Sequence, residues 1–185
     1  FKKTGGKMHG FQIWVNLPSK NKMMAPRYQE ISAQESPTIE KNGVWARVIA
    51  GECMGISSSI DTVIPITLIH VKMKKGAQLI QHIEPTLNSM IYVFAGNVSI
   101  PRETGVKTRP QVFGLGVKQS INDGELGVLS EGEKIVIESN MSSEFLILSG
   151  PELNEPIARY GPFVMNTREE IQQAFFDYQN GTLGN

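Results

Sequence analysis

Apolar and polar residues alternate with a period of two over much of this chain. In Phe11–Leu17, Phe11, Ile13, Val15 and Leu17 fall on one face and Gln12 and Asn16 on the other. That is the pattern of a half-buried strand, and Pro18 ends it. Gly43–Gly51 is a second alternating stretch, bounded by glycines and carrying Trp45. From Ile64 onward the expected strands come at close intervals: ITLIHVKM, SMIYVFAG, NVSI, QVFGLGV, ELGVL, KIVIES and EFLILSG. They are short, rich in β-branched and aromatic residues, and separated by Gly, Asn-Asp-Gly and Ser-Glu-Gly turns. Ile121–Glu125 reads as an Asp-Gly turn, where glycine accepts a positive φ. Such spacing predicts an antiparallel sandwich or barrel, and closing the sheet removes its exposed edges.

The period changes near the end of the chain. Thr167 can cap a helix, and Glu170 three residues later completes a capping box. Ile171, Ala174, Phe175 and Tyr178 then follow at i, i+3, i+4 and i+7, an apolar stripe. Gly181 supplies the stop. A helix is therefore expected over about 168–180, with its stripe laid on the outside of a barrel. Gly51–Thr62 is small and polar and reads as a linker. The residues before it offer two or three strands, too few for a closed barrel of the usual eight or so. The expected partition is a truncated barrel tail with linker over 1–60, a complete barrel over 61–160 and a closing segment over 161–185.

Composition narrows the partners. The 185 residues suffice for one large β domain or two small ones. Apolar residues make up 40%, enough for a packed core, and 18 Gly with 10 Pro suit a turn-rich protein. Eighteen basic residues balance 18 acidic ones, so the chain lacks the electrostatic footprint of a nucleic-acid binder and no direct nucleic-acid binding is expected. One basic loop stands out, Ser19–Gln29, with Lys20, Lys22 and Arg27. A solvated loop is its plainer reading and a binding patch the sharper one. The single Cys53 cannot form an internal disulfide and suits a reducing compartment. No apolar run approaches the ~20 residues of a bilayer span, so no membrane partner is expected. The chain opens at Phe1 without Met and is expected to be entered part-way along. Met8, Met23, Met24 and Met54 read as core or interface fillers.

Candidate chemistry centres on Gly76–Gly96. Gly76, five residues, His82-x-Glu84 and the closing Gly96 are similar to the first cupin signature, G-x5-H-x-H-x(3,4)-E-x6-G. In cupins two His and one Glu from neighbouring strands point into a small β-barrel and hold a metal. Here Glu84 replaces the second His, and Ser89 stands where the Glu is expected. The second signature, G-x5-P-x-G-x2-H-x3-N, can be laid on Gly124–Ser139. Gly124 and Gly132 match, while Ser130, Ile135 and Ser139 take the Pro, His and Asn positions. His82 and Glu84 are thus the two candidate metal ligands; the alternative is a filled barrel in which His82 makes one hydrogen bond. Gly6-x-x-His9 imitates the tail of the second signature, with Ile13 at the Asn position. His70 reads as a satisfied half-buried histidine. No Ser-His-Asp set or Cys-x-x-Cys pair can be assembled, and Gly114–Gly116 lacks the following helix that nucleotide binding requires.

His9–Ile31 (HGFQIWVNLPSKNKMMAPRYQEI) resembles the strand and loop that follow the metal site in pirins. Gly161–Gly181 (GPFVMNTREEIQQAFFDYQNG) resembles the pirin C-terminal helix segment, and the resemblance extends over essentially all 185 residues. It implies an all-β, jelly-roll cupin barrel in a bicupin arrangement with an incomplete N-terminal barrel, plus one C-terminal helix. It also implies one Fe(II) held in the N-terminal barrel by a His-x-His and a His-x-Glu pair lying before Phe1. No catalytic, cofactor or metal residue then carries over to this chain, which alone is expected to bind no iron and to be inactive. Two functions follow for the family protein. One is an iron-binding transcription cofactor of nucleus and cytoplasm, acting on transcription regulators through protein contacts. The alternative is an Fe(II)-dependent quercetin 2,3-dioxygenase-type enzyme with a flavonol-like substrate. An unclosed first barrel would leave strand edges and apolar faces open, so the chain alone is expected to associate or to be poorly soluble.

Overall fold

Val44–Ala50 alternates buried and half-buried side chains at every position, and this two-fold pattern builds most of the molecule. The computed structural model describes residues 5–6, 8–101, 120–130 and 132–183. Contacts divide them into two units, Arg27–Glu152 and Phe1–Pro26 with Leu153–Asn185.

The larger unit is a cupin-type β-barrel. Its strands in chain order are β1 (Thr38–Lys41), β2 (Val44–Ala50), β3 (Glu52–Cys53), β4 (Ile56–Ser57), β5 (Thr67–Met73), β6 (Gln78–His82) and β7 (Leu87–Ala95). They continue with β8 (Asn97–Ser99), β9 (Ser120–Asn122), β10 (Leu126–Val128), β11 (Lys134–Ser139) and β12 (Ser143–Pro151). One sheet runs β1-β2-β5-β12-β7-β10 and a second runs β6-β11-β8-β9. All the paired strands are antiparallel. A single core joins the sheets: Val48, Ile69, Val71, Ile91, Val93, Phe145 and Ile147 face Leu79, Val98, Ile121, Ile135 and Ile137. Two turns fix the strand order. Asn42 and Gly43 both have positive φ (52° and 78°), the two-residue hairpin geometry that an Asn-Gly pair favours. Gly96 has φ 82°, and a Cβ there would collide with Ser142 O and the Ser143 side chain. Ser143 Oγ closes this corner by accepting from Asn97 N at 3.1 Å and donating to Asn97 O at 3.0 Å.

The smaller unit holds α1 (Ser19–Lys22), a hairpin of β13 (Ala158–Tyr160) and β14 (Phe163–Met165), and α2 (Arg168–Asn180). The expected capping box is present: Glu170 N donates to Thr167 Oγ1 at 3.1 Å, and Thr167 N donates to Glu170 Oε2 at 2.9 Å. Gly181 ends the helix in the left-handed conformation. Ile171 and Ala174 bury against Phe163, with Ala158, Met165 and Phe175 packed alongside.

The structure departs from the sequence reading at four places. Phe11–Leu17 forms no strand. Alternation prepares a face, but a strand needs a neighbour for its N–H and C=O groups, and none of the described strands pairs with it. Gly51–Thr62 is no bare linker; β3 and β4 pair there and bury Cys53 to 1% exposure. β2 pairs with β5 across the expected boundary at residue 60, from Val44↔Met73 to Ala50↔Leu68. The units therefore divide after Pro26 and Glu152 rather than as 1–60, 61–160 and 161–185. The helix stripe lies on the β13–β14 hairpin, whose Phe163 offers the nearest apolar surface, and Tyr178 at the stripe's end is 65% exposed. The expected strand QVFGLGV falls on residues 111–117, outside the described residues.

Candidate functional site

A strand's partner decides which of its residues point inward. In β6 the buried positions are Leu79 and Gln81, while Gln78, Ile80 and His82 are exposed. β11 enforces this, since Gln81 lies opposite the buried Ile135 and His82 opposite the exposed Lys134. His82 and Glu84, spaced as ligands from Gly76, thus sit outside the barrel. One residue of slip moves a whole set of side chains to the other face. The inward positions at this end are Gln81, Ile83, Ser89 and Ile135: Gln81, Ser89 and Ile135 are buried, and Ile83 packs on the core.

That set does not fit an iron ion. Two of its members are aliphatic. Gln81 Nε2 already donates to Glu52 O at 2.9 Å and His82 O at 2.8 Å. Ser89 Oγ lies 2.9 Å from Ser149 Oγ, and Ser139 donates to Met141 O. A non-haem iron site takes imidazole and carboxylate donors, and no group of three His, Cys, Asp or Glu converges among the described residues. Glycine spacing made the metal motif legible, but only the β6–β11 register shows that its side chains face away.

The other singled-out residues sort by their contacts. His70 sits on the outer face of the six-stranded sheet. Its Nε2 is 3.3 Å from Glu144 Oε2, and its ring meets Trp45 edge-on at 5.3 Å between centroids. Burial, helped by the Lys72 and Arg47 cations, pushes its pKa below the usual histidine value against the raising effect of Glu144. Burial alone would raise Glu144, but its bonds to Lys72 and His70 hold it below the usual carboxylate value. Lys72 and Arg47 lie over the Trp45 ring at 5.6 and 5.4 Å. This is a cross-strand cluster in which His70 has its partner in Glu144, while the buried Arg47 Nε has no hydrogen-bond partner among the described residues. Cys53 is pushed up to about 11 by burial and then by Glu52, so its thiol is no nucleophile at neutral pH. His9 is exposed beside Phe11, 5.1 Å away, and Gly114–Gly116 lies outside the described residues.

The basic loop is largely committed to structure. In the smaller unit Lys22 Nζ donates to Asn16 Oδ1 and to Val164 O. In the barrel unit Arg27 holds Asp61 through Nη1 at 2.8 Å and Nη2 to its carbonyl at 2.8 Å, with Gln29 bonding the same residue. Lys20 is exposed and makes no such bond among the described residues.

The open concavity that sequence reasoning missed belongs to the smaller unit. A groove of about 880 Å³ runs between β13 and α2, with Ile157, Arg159, Tyr160, Arg168, Phe175 and Phe176 in its wall. Ile157, Tyr160 and Phe176 are 71%, 69% and 62% exposed. A second groove of about 420 Å³ lies between Trp14, Leu17 and Met165, and Arg159 borders both. The available signal is Phe176 and Arg168, which lie off the apolar stripe of α2.

Residues 68–184 match the Pirin C-terminal cupin domain. The chain is 38% identical to human pirin over 178 residues, which covers 95% of this chain and 57% of that protein. The chain belongs to the pirin family. A Vibrio cholerae relative provisionally named a quercetin 2,3-dioxygenase is 32% identical, over 95% of this chain and 59% of its own. The crystal structure of quercetin 2,3-dioxygenase from Acinetobacter baumannii superposes with a TM-score of 0.77 at 32% identity, covering 93% of this chain and 56% of that one. The cupin barrel with its C-terminal helix is the pirin fold. This pirin chain spans a little over half the length of the curated relatives it matches. Among the described residues no helix is long and apolar enough to cross a membrane.

Proposed function

We propose that this chain serves a pirin-type transcription cofactor of nucleus and cytoplasm as scaffold and protein-contact surface. In this reading Fe(II) is held by residues other than those described, and the partners are transcription regulators. The observation that carries it is the contrast between the two concave regions. The barrel's inward positions are filled by Gln81, Ile83, Ser89 and Ile135. The β13–α2 groove stands open with apolar and cationic side chains exposed. The described inward positions are taken up by aliphatic and hydrogen-bonded side chains, whereas exposed aromatic and arginine side chains are those enriched at protein interfaces.

The 32% identity to the A. baumannii quercetin 2,3-dioxygenase favours a second reading, an iron-dependent oxygenase acting on a flavonol. The discriminating experiment uses protein expressed from its full reading frame and loaded anaerobically with Fe(II). Quercetin-dependent oxygen uptake and retention on immobilised transcription-regulator domains are measured on the same preparation. The cofactor reading expects saturable retention without quercetin-dependent uptake. Turnover of quercetin with no retention overturns it.

A further inference from the structure

Resting on the protein-contact reading above, we infer that the β13–α2 groove takes a short acidic segment of a partner protein that carries one or two large apolar residues. The lining of this groove contains Arg159 and Arg168 and no carboxylate. Neither arginine makes a salt bridge among the described residues. Two nearby carboxylates are already engaged: Glu155 accepts from Ser19 N at 2.7 Å and Asn166 Nδ2 at 2.9 Å, and Glu170 accepts from Thr167 N in the capping box. In a chain whose formal net charge is zero, this is a local excess of positive charge with nothing within the groove to balance it.

The position of Arg168 sharpens the argument. It opens α2, where the helix dipole is positive and a cation is disfavoured, while the last turn of the helix has no basic residue. Glu169 and Glu170 in the same turn offset this cation for the helix itself. The same helix end attracts a carboxylate, so the dipole and the guanidinium favour one kind of ligand. Between the arginines, Ile157, Tyr160 and Phe176 present apolar surface that remains exposed in the unit. Arginine forks receive carboxylates in bidentate geometry, and aromatic rings beside them receive an apolar anchor. A purely electrostatic ligand would leave the rings unused, and a purely apolar one would strand two cations at a desolvated contact.

The test uses two synthetic twelve-residue peptides, N-acetylated and C-amidated and bearing a fluorophore. One is built from Asp and Glu with Phe and Leu four residues apart, and the other has every Asp and Glu replaced by Asn and Gln. Binding to full-reading-frame protein is followed by fluorescence anisotropy in low and high salt. The acidic peptide should bind saturably and at least tenfold more tightly than its amide counterpart, and high salt should weaken it. Arg159→Glu with Arg168→Glu should abolish binding, and Phe176→Ala should weaken it several-fold. All three side chains are solvent-exposed, and glutamate at position 168 suits the helix start, so folding is preserved; circular dichroism checks this.

Equal affinity for the two peptides, binding that survives charge reversal, or self-association of the protein that charge reversal abolishes would each overturn the inference. Retention of regulator domains by both wild type and the double variant overturns the groove assignment and leaves the cofactor reading standing. Groove-dependent binding of the acidic peptide without retention of any regulator domain supports the groove and overturns that reading.

Discussion

The two units of this chain handle their apolar residues in opposite ways. In the barrel unit, strands alternate so regularly that Phe145, Ile69, Ile91 and Ile147 are fully buried in one shared core. In the smaller unit the core is Phe163, Ile171 and Ala174 with a few neighbours, while Trp14, Tyr160, Phe176 and Tyr178 are all more than 60% exposed. The difference is one of partners. The inner faces of the two barrel sheets meet each other, whereas the smaller unit spends its apolar side chains on α2, one hairpin and a segment that pairs with none of the described strands. The smaller unit thus leaves its aromatic surface open, while the barrel unit closes its own over one core.

If the barrel is the rigid part, damage there should cost most. Phe145→Ala should lower stability by about 3–5 kcal/mol in urea denaturation, the range for truncating a fully buried phenylalanine. A loss below about 1 kcal/mol would mean that the core is looser than its burial implies. Gly96→Ala comes next, at more than about 1 kcal/mol, since a side chain is placed at a positive φ against Ser142 and Ser143. A neutral result would show that the corner between β7 and β8 is not fixed by Ser143.

Changes in the smaller unit should be milder and should stay there. Thr167→Ala removes the cap of α2 and should cost about 1 kcal/mol, seen as faster amide exchange in the first turns of the helix. Unchanged exchange in β5, β7 and β12 would confirm that the two units respond separately; coupled loss would break the comparison. The smallest effect expected is a pH slope at the outer sheet face. Burial lowers the His70 pKa from its ordinary 6.5, so the unfolded chain binds this proton more readily than the folded one. His70 therefore contributes stability that is present above about pH 6.5 and is lost as pH falls through its folded-state value. Glu144, also lowered, adds a loss that begins as pH falls below its ordinary 4.5. His70→Gln should flatten the slope just below pH 6.5 and leave the lower one; a slope unchanged by the substitution would contradict the assignment.

What the sequence made legible was what depends on a residue's own neighbours. Thr167, Glu170 and Gly181 announced α2 because caps are local, and Val44–Ala50 announced β2 because both its faces are sorted. β1 (Thr38–Lys41) went unread, although Asn42-Gly43 marks its turn, because Thr-Ile-Glu-Lys offers no apolar face. The converse error fell on Phe11–Leu17, whose alternation is good but whose hydrogen-bonding partner is not among the described strands. The direction in which His82 and Glu84 face is hidden from the sequence for a related reason. Counting from Gly76 gives a spacing, but β6 faces as its register with β11 dictates, and that pairing joins residues more than fifty positions apart. The β13–α2 groove was invisible because it exists only once a helix and a hairpin lie side by side.

In this chain the described barrel interior is filled scaffold, and His82 and Glu84 are exposed. The most direct test is the iron retained by this chain after anaerobic incubation with Fe(II) and desalting, compared between wild type and His82→Ala. The account predicts no retained iron in either. Near-stoichiometric iron that disappears on His82→Ala would contradict it and return the chemistry to the barrel.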